Sequence, residues 1–528
     1  MTVNGDVVLT ELRSPQNGET GVTCEYPLDK PLPGTLPRKM GVPKVKVAII
    51  CAVAIAAIAG GVAMGVLWGS VFDKILSREL ILSPTSKSFS IWKTTPIPMY
   101  LKIYLFHWTN PDLVATAKPH FIEKGPYVFK EIDYKVNRTW NTNGTLTFNQ
   151  KRIWHFIPEK SNGTLDDEIV NLNPIAVTIA YRVRHKPKAI REIVSGALKF
   201  LEKGLTVRKK VRELLFDGYE DELIELARKF KVPNIPWDKF GWFYGRNMSE
   251  TYDGTFSMNT GANSMTELGI LSEWNYSKKS TIYPGTCGHI NGSLGDLWPP
   301  VRYYEKVSVF APDVCTLVPL HENGLMSING LEGKQFLATR ETFDNGSRVE
   351  SRACYCKDVE CQPSGTLNVS TCKFGAPAFV SLPHFHLADE SYLNAIDGLR
   401  PAHDGSHNFS IVVQPDMGIP LQVRARLQLN LLIQPIQYIG LFENVPKVFI
   451  PMLWFRQEAD LSSDLGSQLK FVLILPTLGN VTFYGIAGLG VLLLIIGGIV
   501  CVRGRRRAED NQRLIAKNES NGTATTEG

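Results

Sequence analysis

Two uncharged apolar runs, 47–72 and 481–502, stand apart from an otherwise mixed pattern of hydrophobic and polar positions. The first holds 26 residues. As a helix it reaches about 39 Å, more than the ~30 Å hydrocarbon layer of a bilayer. Both runs predict membrane-spanning helices. Between them lie short β-branched and aromatic runs broken by Gly, Pro and Asn, among them 127–134, 146–156, 307–310, 411–413 and 423–433. That pattern predicts strands. The exception is 187–231, where Ile190, Ile193, Val194, Ala197, Leu198 and Leu201 recur at helical spacing behind Pro187. Val211, Leu214 and Leu215, then Leu223, Ile224, Ala227 and Phe230, extend the expectation to further amphipathic helices. The expected organisation is a disordered, proline-bearing tail (1–46), a first span (47–72), a β-rich α+β ectodomain (73–480) with a helical cluster at 187–231, a second span (481–502) and a short tail (503–528).

Charge orients this frame. Arg38, Lys39, Lys44 and Lys46 precede the first span, and Arg503, Arg505, Arg506 and Arg507 follow the second. Positive flanks stay in the cytosol, so both termini are expected there and the middle outside it. The first run stands too far from the start, is too long and lacks a small-residue cleavage site, so it reads as a signal anchor. The middle segment carries nine N-x-S/T sequons, at Asn137, Asn143, Asn162, Asn247, Asn275, Asn291, Asn345, Asn368 and Asn408, which predict N-glycans in a secretory lumen. Asn480 lies too near the membrane, and Asn518 and Asn521 fall in the cytosolic tail. Six of nine cysteines also lie in the middle (Cys287, Cys315, Cys354, Cys356, Cys361 and Cys372), enough for three disulfides whose pairing spacing alone leaves open. Cys501 sits at the cytosolic edge, within reach of palmitoylation or as an inert thiol.

The helical cluster concentrates positive charge. Eleven Lys and Arg fall between Arg182 and Arg212 against Glu192 and Glu202, while the whole chain carries only +6. A solvated helical face accounts for any one of them. Together they predict a surface that gathers anionic partners, with Lys188, Arg191, Lys199 and Lys203 as candidate ligand contacts. Nucleic acid is excluded by the compartment, which leaves anionic lipids, lipoproteins, polyanionic glycans or acidic proteins. No catalytic motif accompanies them: G-x-S-x-G, phosphate-cradling glycine loops and H-E-x-x-H are all absent from the sequence. His384 and His386 are expected to be structural rather than metal ligands, no cofactor is implied, and the chain reads as a non-enzyme.

Two short patterns remain. Gly61, Gly65 and Gly69 in the first span have the spacing that lets membrane helices approach closely, against the second span or another copy of the chain. In the C-terminal tail, Asp510 stands four residues before Leu514-Ile515, the acidic-dileucine form that clathrin adaptors read in an unstructured tail.

Ordered markers then give the middle a likeness. They include Thr109-Asn110-Pro111, Glu123-Lys124-Gly125-Pro126-Tyr127-Val128-Phe129 and Asp253-Gly254-Thr255-Phe256-Ser257-Met258-Asn259-Thr260-Gly261. Lys373-Phe374-Gly375-Ala376-Pro377, Ser381-Leu382-Pro383-His384-Phe385 and Arg426-Leu427-Gln428-Leu429-Asn430 follow. With these the chain resembles the class B scavenger receptor family from the first span through the second. The resemblance implies a lopsided antiparallel β-barrel with an apical helical bundle and an apolar tunnel towards the membrane. It also implies the bridges Cys287–Cys354, Cys315–Cys372 and Cys356–Cys361.

A tunnel has a physical rationale, since exposing a 16-carbon chain to water costs on the order of 13 kcal/mol. The expected function is therefore a receptor that captures lipids, lipoproteins or other anionic ligands at a basic apex and passes lipid inward. The alternatives are a sorting or phagocytic receptor for protein or apoptotic-cell cargo, and a chemosensory co-receptor for lipid-like odorants. The N-terminal tail is longer than in most members of the family. The dileucine tail resembles the lysosomal member, so the expected location is the plasma membrane and the endosome–lysosome route.

Overall fold

The computed structural model describes residues 44–229, 238–357 and 360–522, which fall into two compact units divided near residues 62 and 484. The expected disordered tail lies outside the described residues up to position 43, as do 230–231 of the helical cluster and 523–528. Two helices are long and apolar enough to cross a membrane: α1 (Lys44–Leu80) and α9 (Ser463–Gly522). Both outrun their apolar cores. In particular α9 continues past Arg503–Arg507 to Gly522, so the tail is helical where the sequence reading had it unstructured. Residues 505–521 contain no Gly or Pro, and Glu509 precedes Arg513 at i,i+4, both of which favour continuation.

Within the larger unit, Trp68 of α1 packs on Gly479 of α9, donates its Nε1–H to Leu475 O at 3.3 Å and meets the Phe483 ring at 5.5 Å. Within the smaller unit, Gly490 abuts Ala54 and Ile58. Close approach therefore also uses glycines of α9. Of the expected α1 series, Gly61 and Gly65 are buried but Gly69 is exposed, with nothing within 4 Å of where its Cβ would be.

The ectodomain is built on one large antiparallel sheet. After α2 (Lys87–Trp92), β1 (Met99–Trp108), β2 (Phe121–Trp140) and β3 (Thr145–Phe156) form a meander. β2 slips register against β1 between Ile103 and Leu105, where Gly125 adopts φ +117°. A Cβ there would lie 2.7 Å from Ile103 O, so only glycine fits this bulge. β6 (Thr255–Asn259) and β7 (Leu271–Trp274) extend the sheet beyond β3. On the other side follow β15 (Val448–Asp460), β14 (Pro420–Ile433), β13 (Ser410–Val413), β10 (Leu331–Leu337), β9 (Thr316–Ile328) and β8 (Lys306–Ala311). β11 (Leu367–Asn368) pairs with β12 (Ala378–Ser381), which adds to β14. The ladder thus ends in β7 and β8, which do not pair with each other. Single bridges from Ser293 touch Ile270 and Val309, and strand pairing leaves the expected barrel open.

β4 (Glu168–Leu172) and β5 (Thr206–Lys210) form a separate two-stranded ribbon. Between them stand α3 (Pro174–Val183) and α4 (Lys188–Phe200). Asn173 caps α3, accepting from the backbone of Ile175 and Ala176, with Pro174 preset for the first turn. The expected helical cluster 187–231 therefore also contains a strand. Thr206–Lys210 is a strand, Glu213–Asp217 is a single π-turn, and helix resumes at α5 (Glu222–Lys229). Short turns α6 (Ser391–Asn394), α7 (Asp404–His407) and α8 (Gly440–Glu443) complete the helices. Disulfides join Cys287–Cys354, Cys315–Cys372 and Cys356–Cys361, with Cα separations of 5.9, 6.1 and 5.1 Å.

Candidate capture face and apolar chamber

α4 presents the basic surface that the sequence singles out, and the fold redistributes its charge. Lys203 is only 14% exposed, 3.0 Å from Asp221 Oδ2 and in contact with Glu222. Burial opposes its charge, yet hydrogen bonds to these two carboxylates raise its pKa. It is thus held in a structural ion pair, because acids beyond the basic stretch fold back onto it. Arg208 is likewise met by Glu168, and Lys210 and Arg212 by Asp166. Lys188 and Arg191 stand 4.8 and 4.9 Å from the Tyr438 ring, and Lys188 also reaches Glu192 at 3.6 Å. Lys186 and Lys199 are exposed. Among these cations α4 also displays apolar side chains, with Ile193 70% and Phe200 84% exposed. The sequence reading assigned Ile193 to the apolar stripe of a packed helix. Instead the helix is seated through Leu198 and a hydrogen bond from Gly440 N to Ser195 Oγ, leaving Ile193 outside.

Two adjoining cavities lie in the ectodomain. The larger is an open groove of 1140 Å³ that runs past Arg184, Tyr283, Tyr355 and Lys357 beside two of the disulfides. The smaller, 160 Å³, is walled by Phe243, Leu429, Leu431, Leu453 and Phe455. Tyr252, Asp313, Lys373 and Phe374 line both. Along β2, towards its contact with Lys93 after α2, the buried positions turn from Phe129 to Glu131, Asp133 and Lys135, opposite Trp154, Arg152 and Gln150 of β3. These buried charges are matched to one another. Lys135 Nζ lies 2.6 Å from Asp133 and 2.9 Å from Asp296, and Arg152 lies 3.6 Å from Glu131. Arg246 bridges Asp253 and Asp313, each at 2.8 Å.

The histidines of 384–407 are locked into the fold. His384 Nε2 meets Glu123 Oε2 at 2.7 Å and its Nδ1 meets Arg400 O at 2.8 Å, while His386 Nε2 lies 2.7 Å from Asp404. Among the described residues no group of His, Cys, Asp and Glu could hold a metal ion.

Six sequon asparagines, Asn137, Asn143, Asn162, Asn247, Asn275 and Asn291, are exposed, and Asn345 and Asn368 are partly so. Asn408 differs from the other eight in its surroundings. It is 3% exposed and its Nδ2 donates to Ala338 O and Asp404 Oδ1. In the tail, Leu514 and Ile515 are 61% and 59% exposed on the helical surface, one turn beyond Asp510.

Comparison with known proteins identifies the family. A model of the CD36 family matches residues 49–501. Protein peste of Drosophila melanogaster is 35% identical over 452 residues, covering 85% of this chain and 80% of peste. Scavenger receptor class B member 1 of Mus musculus is 32% identical over 446 residues, 84% of this chain and 86% of that receptor. Lysosome membrane protein 2 of Homo sapiens is 30% identical over 438 residues, 81% of this chain and 89% of that protein. The scavenger receptors and lysosome membrane proteins of this family are receptors rather than enzymes. From within its first span to the end of its second, the chain belongs to the CD36 family, the class B scavenger receptors.

Proposed function

We propose that this chain is a scavenger and lipid-uptake receptor that docks anionic lipid particles on α4 and draws lipid into the ectodomain. The observation that carries the reading is α4 itself. An exposed helix bearing Phe200 and Ile193 among Lys186, Lys188 and Lys199 has the make-up of an interfacial helix, whose apolar side chains enter a lipid surface while its cations meet anionic headgroups. The likeness to scavenger receptor class B member 1 supports the same class of role. The apolar chamber is the receiving site, and an apolar passage in a barrel-like ectodomain would carry the lipid on towards the bilayer.

The test is uptake of phosphatidylserine-containing particles by cells expressing the full chain. Ile193→Ser with Phe200→Ser, and separately Lys188→Glu with Lys199→Glu, should each reduce uptake several-fold at equal surface level. Unchanged uptake in both would overturn the role of α4. A protein-cargo receptor is the rival reading. Leu429→Trp, which fills the chamber, separates the two, since it should stop lipid uptake and spare protein binding.

Delivery is the second half of the proposal. Asp510, Leu514 and Ile515 engage clathrin adaptors from the cytosolic tail, so the receptor cycles between the plasma membrane and endosomes or lysosomes. The N-glycans of the exposed sequons protect the ectodomain there, and self-association through membrane glycines is a further proposal.

A further inference from the structure

The junction between the two cavities has a construction of its own. The segment Cys372-Lys373-Phe374-Gly375 is fixed by the Cys315–Cys372 bridge and by hydrogen bonds from Lys373 N to Val369 O and Gly375 N to Ser370 O. It places a cation and an aromatic ring side by side where the open groove meets the apolar chamber. Lys373 is partly buried, and burial pulls its pKa down. Its neighbour Asp313 is already engaged through both oxygens by Arg246, at 2.8 and 3.2 Å. Among the described residues Lys373 has no carboxylate within 4 Å, and Asp313 and Asp253 attract it only from farther off. A desolvated ammonium without a close counter-ion is a costly arrangement unless an anion completes it. Phe374 adds a second signal. It holds φ +57°, a left-handed conformation that a bulky side chain seldom adopts and that concentrates at ligand clamps.

We propose that Lys373 and Phe374 form a head-group gate, at which a single-chain amphiphile seats its carboxylate on Lys373 Nζ and passes its chain beside the Phe374 ring into the apolar chamber. The proposal rests on the lipid-uptake reading and adds a selection step to it. The groove is wide enough to admit a solvated head, whereas 160 Å³ resembles a cavity that takes up a benzene-sized group, so about six carbons enter the chamber beyond the gate. Selection follows from charge. A carboxylate supplies the direct counter-ion contact that Lys373 lacks, and a neutral alcohol of equal length does not.

The experiment is calorimetric titration of the full-length protein in nanodiscs with decanoate and, separately, decanol. Lys373→Met should weaken decanoate tenfold or more, the weight of one charge-assisted hydrogen bond, and shift decanol less than twofold. Lys373→Arg, which keeps the charge beside the disulfide, should retain decanoate, and it serves as the control should the Met variant misfold. Equal decanoate affinity in wild type and Lys373→Met, with both ligands lost in Leu429→Trp, would overturn the gate and leave the chamber standing. Failure of wild type to bind either ligand would overturn both.

Discussion

The rings of His384 and His407 lie 4.5 Å apart, tilted by 38°, with His384 held to Glu123 at 2.7 Å. His407 is buried, and burial first, then the neighbouring His384 and His403, pulls its pKa to about 4. The backbone N–H of His403 donates to its Nδ1, and Glu123 opposes the shift only weakly. The unfolded chain therefore takes up a proton near pH 6.5, which the folded chain refuses until about pH 4. Stability is complete above pH 6.5 and falls as pH drops through this window, by on the order of 3 kcal/mol at about 1.4 kcal/mol per pH unit. Burial also acts on Glu123, but hydrogen bonds from His384 and Trp454 outweigh it and lower its pKa, so its contribution is lost only under more acidic conditions. Thermal melts from pH 7 to pH 4.5 should show Tm declining. His407→Phe should flatten that slope even while lowering Tm at pH 7. An identical slope in both would remove His407 as the cause.

Lys203 and Lys199 differ by four positions and should differ in kind. Removing Lys203 leaves the buried Asp221 without its cation, although Asp221 still accepts from Leu223 N. Lys203→Met should cost about 1–3 kcal/mol in denaturant unfolding. Lys199→Ala, on the exposed face, should change stability by less than about 0.5 kcal/mol and instead reduce binding to anionic vesicles. Equal destabilisation by the two would contradict the separation of structural from capture charge.

Site-resolved glycopeptide mass spectrometry of the protein at the cell surface should find Asn408 bare. A glycan there would displace the hydrogen bond to Ala338 O and unseat Arg426, which donates to the carbonyl of Asn408 and to Gly405 O at 3.1 Å. Asn408→Gln should therefore reduce surface expression, whereas Asn137→Gln and Asn275→Gln should leave folding intact. Occupancy at Asn408 in mature protein would refute the buried assignment.

What the sequence disclosed depended on whether a signal was local. The runs 47–72 and 481–502 need no partner to be recognised, and strands such as 146–156 and 423–433 carry their pattern within themselves. β5 was hidden because Thr206–Lys210 reads as charged. Its partner Glu168–Leu172 supplies the buried face and an acid for Arg208. β2 conceals its interior for the opposite reason. Glu131, Asp133 and Lys135 look like a solvent face, and only Arg152, Gln150 and Asp296, brought in from elsewhere, make their burial tolerable. Long-range acids likewise hold Lys203 in a structural pair. At the chamber, Lys373 and Phe374 were visible only as part of a likeness to other chains, since their role comes from cavities formed by residues far along the sequence.

The helical tail sharpens the sorting proposal. Asp510 and Leu514 are four residues apart, so on α9 they share one face of the helix, with Ile515 beside them. An adaptor that reads both the acid and the aliphatic pair meets them as one surface, provided the helix stands clear of the anionic inner leaflet that Arg503–Arg507 would contact. Leu514→Ala with Ile515→Ala should move the receptor to the cell surface, and Asp510→Ala should do so in part. Gln512→Ala, two residues on from Asp510 and so roughly 200° round the helix, should not. Surface biotinylation against total protein reads the shift. An unchanged distribution in the double variant would show that another determinant directs the protein, and a shift in Gln512→Ala equal to that in Asp510→Ala would show that the face is not what is read.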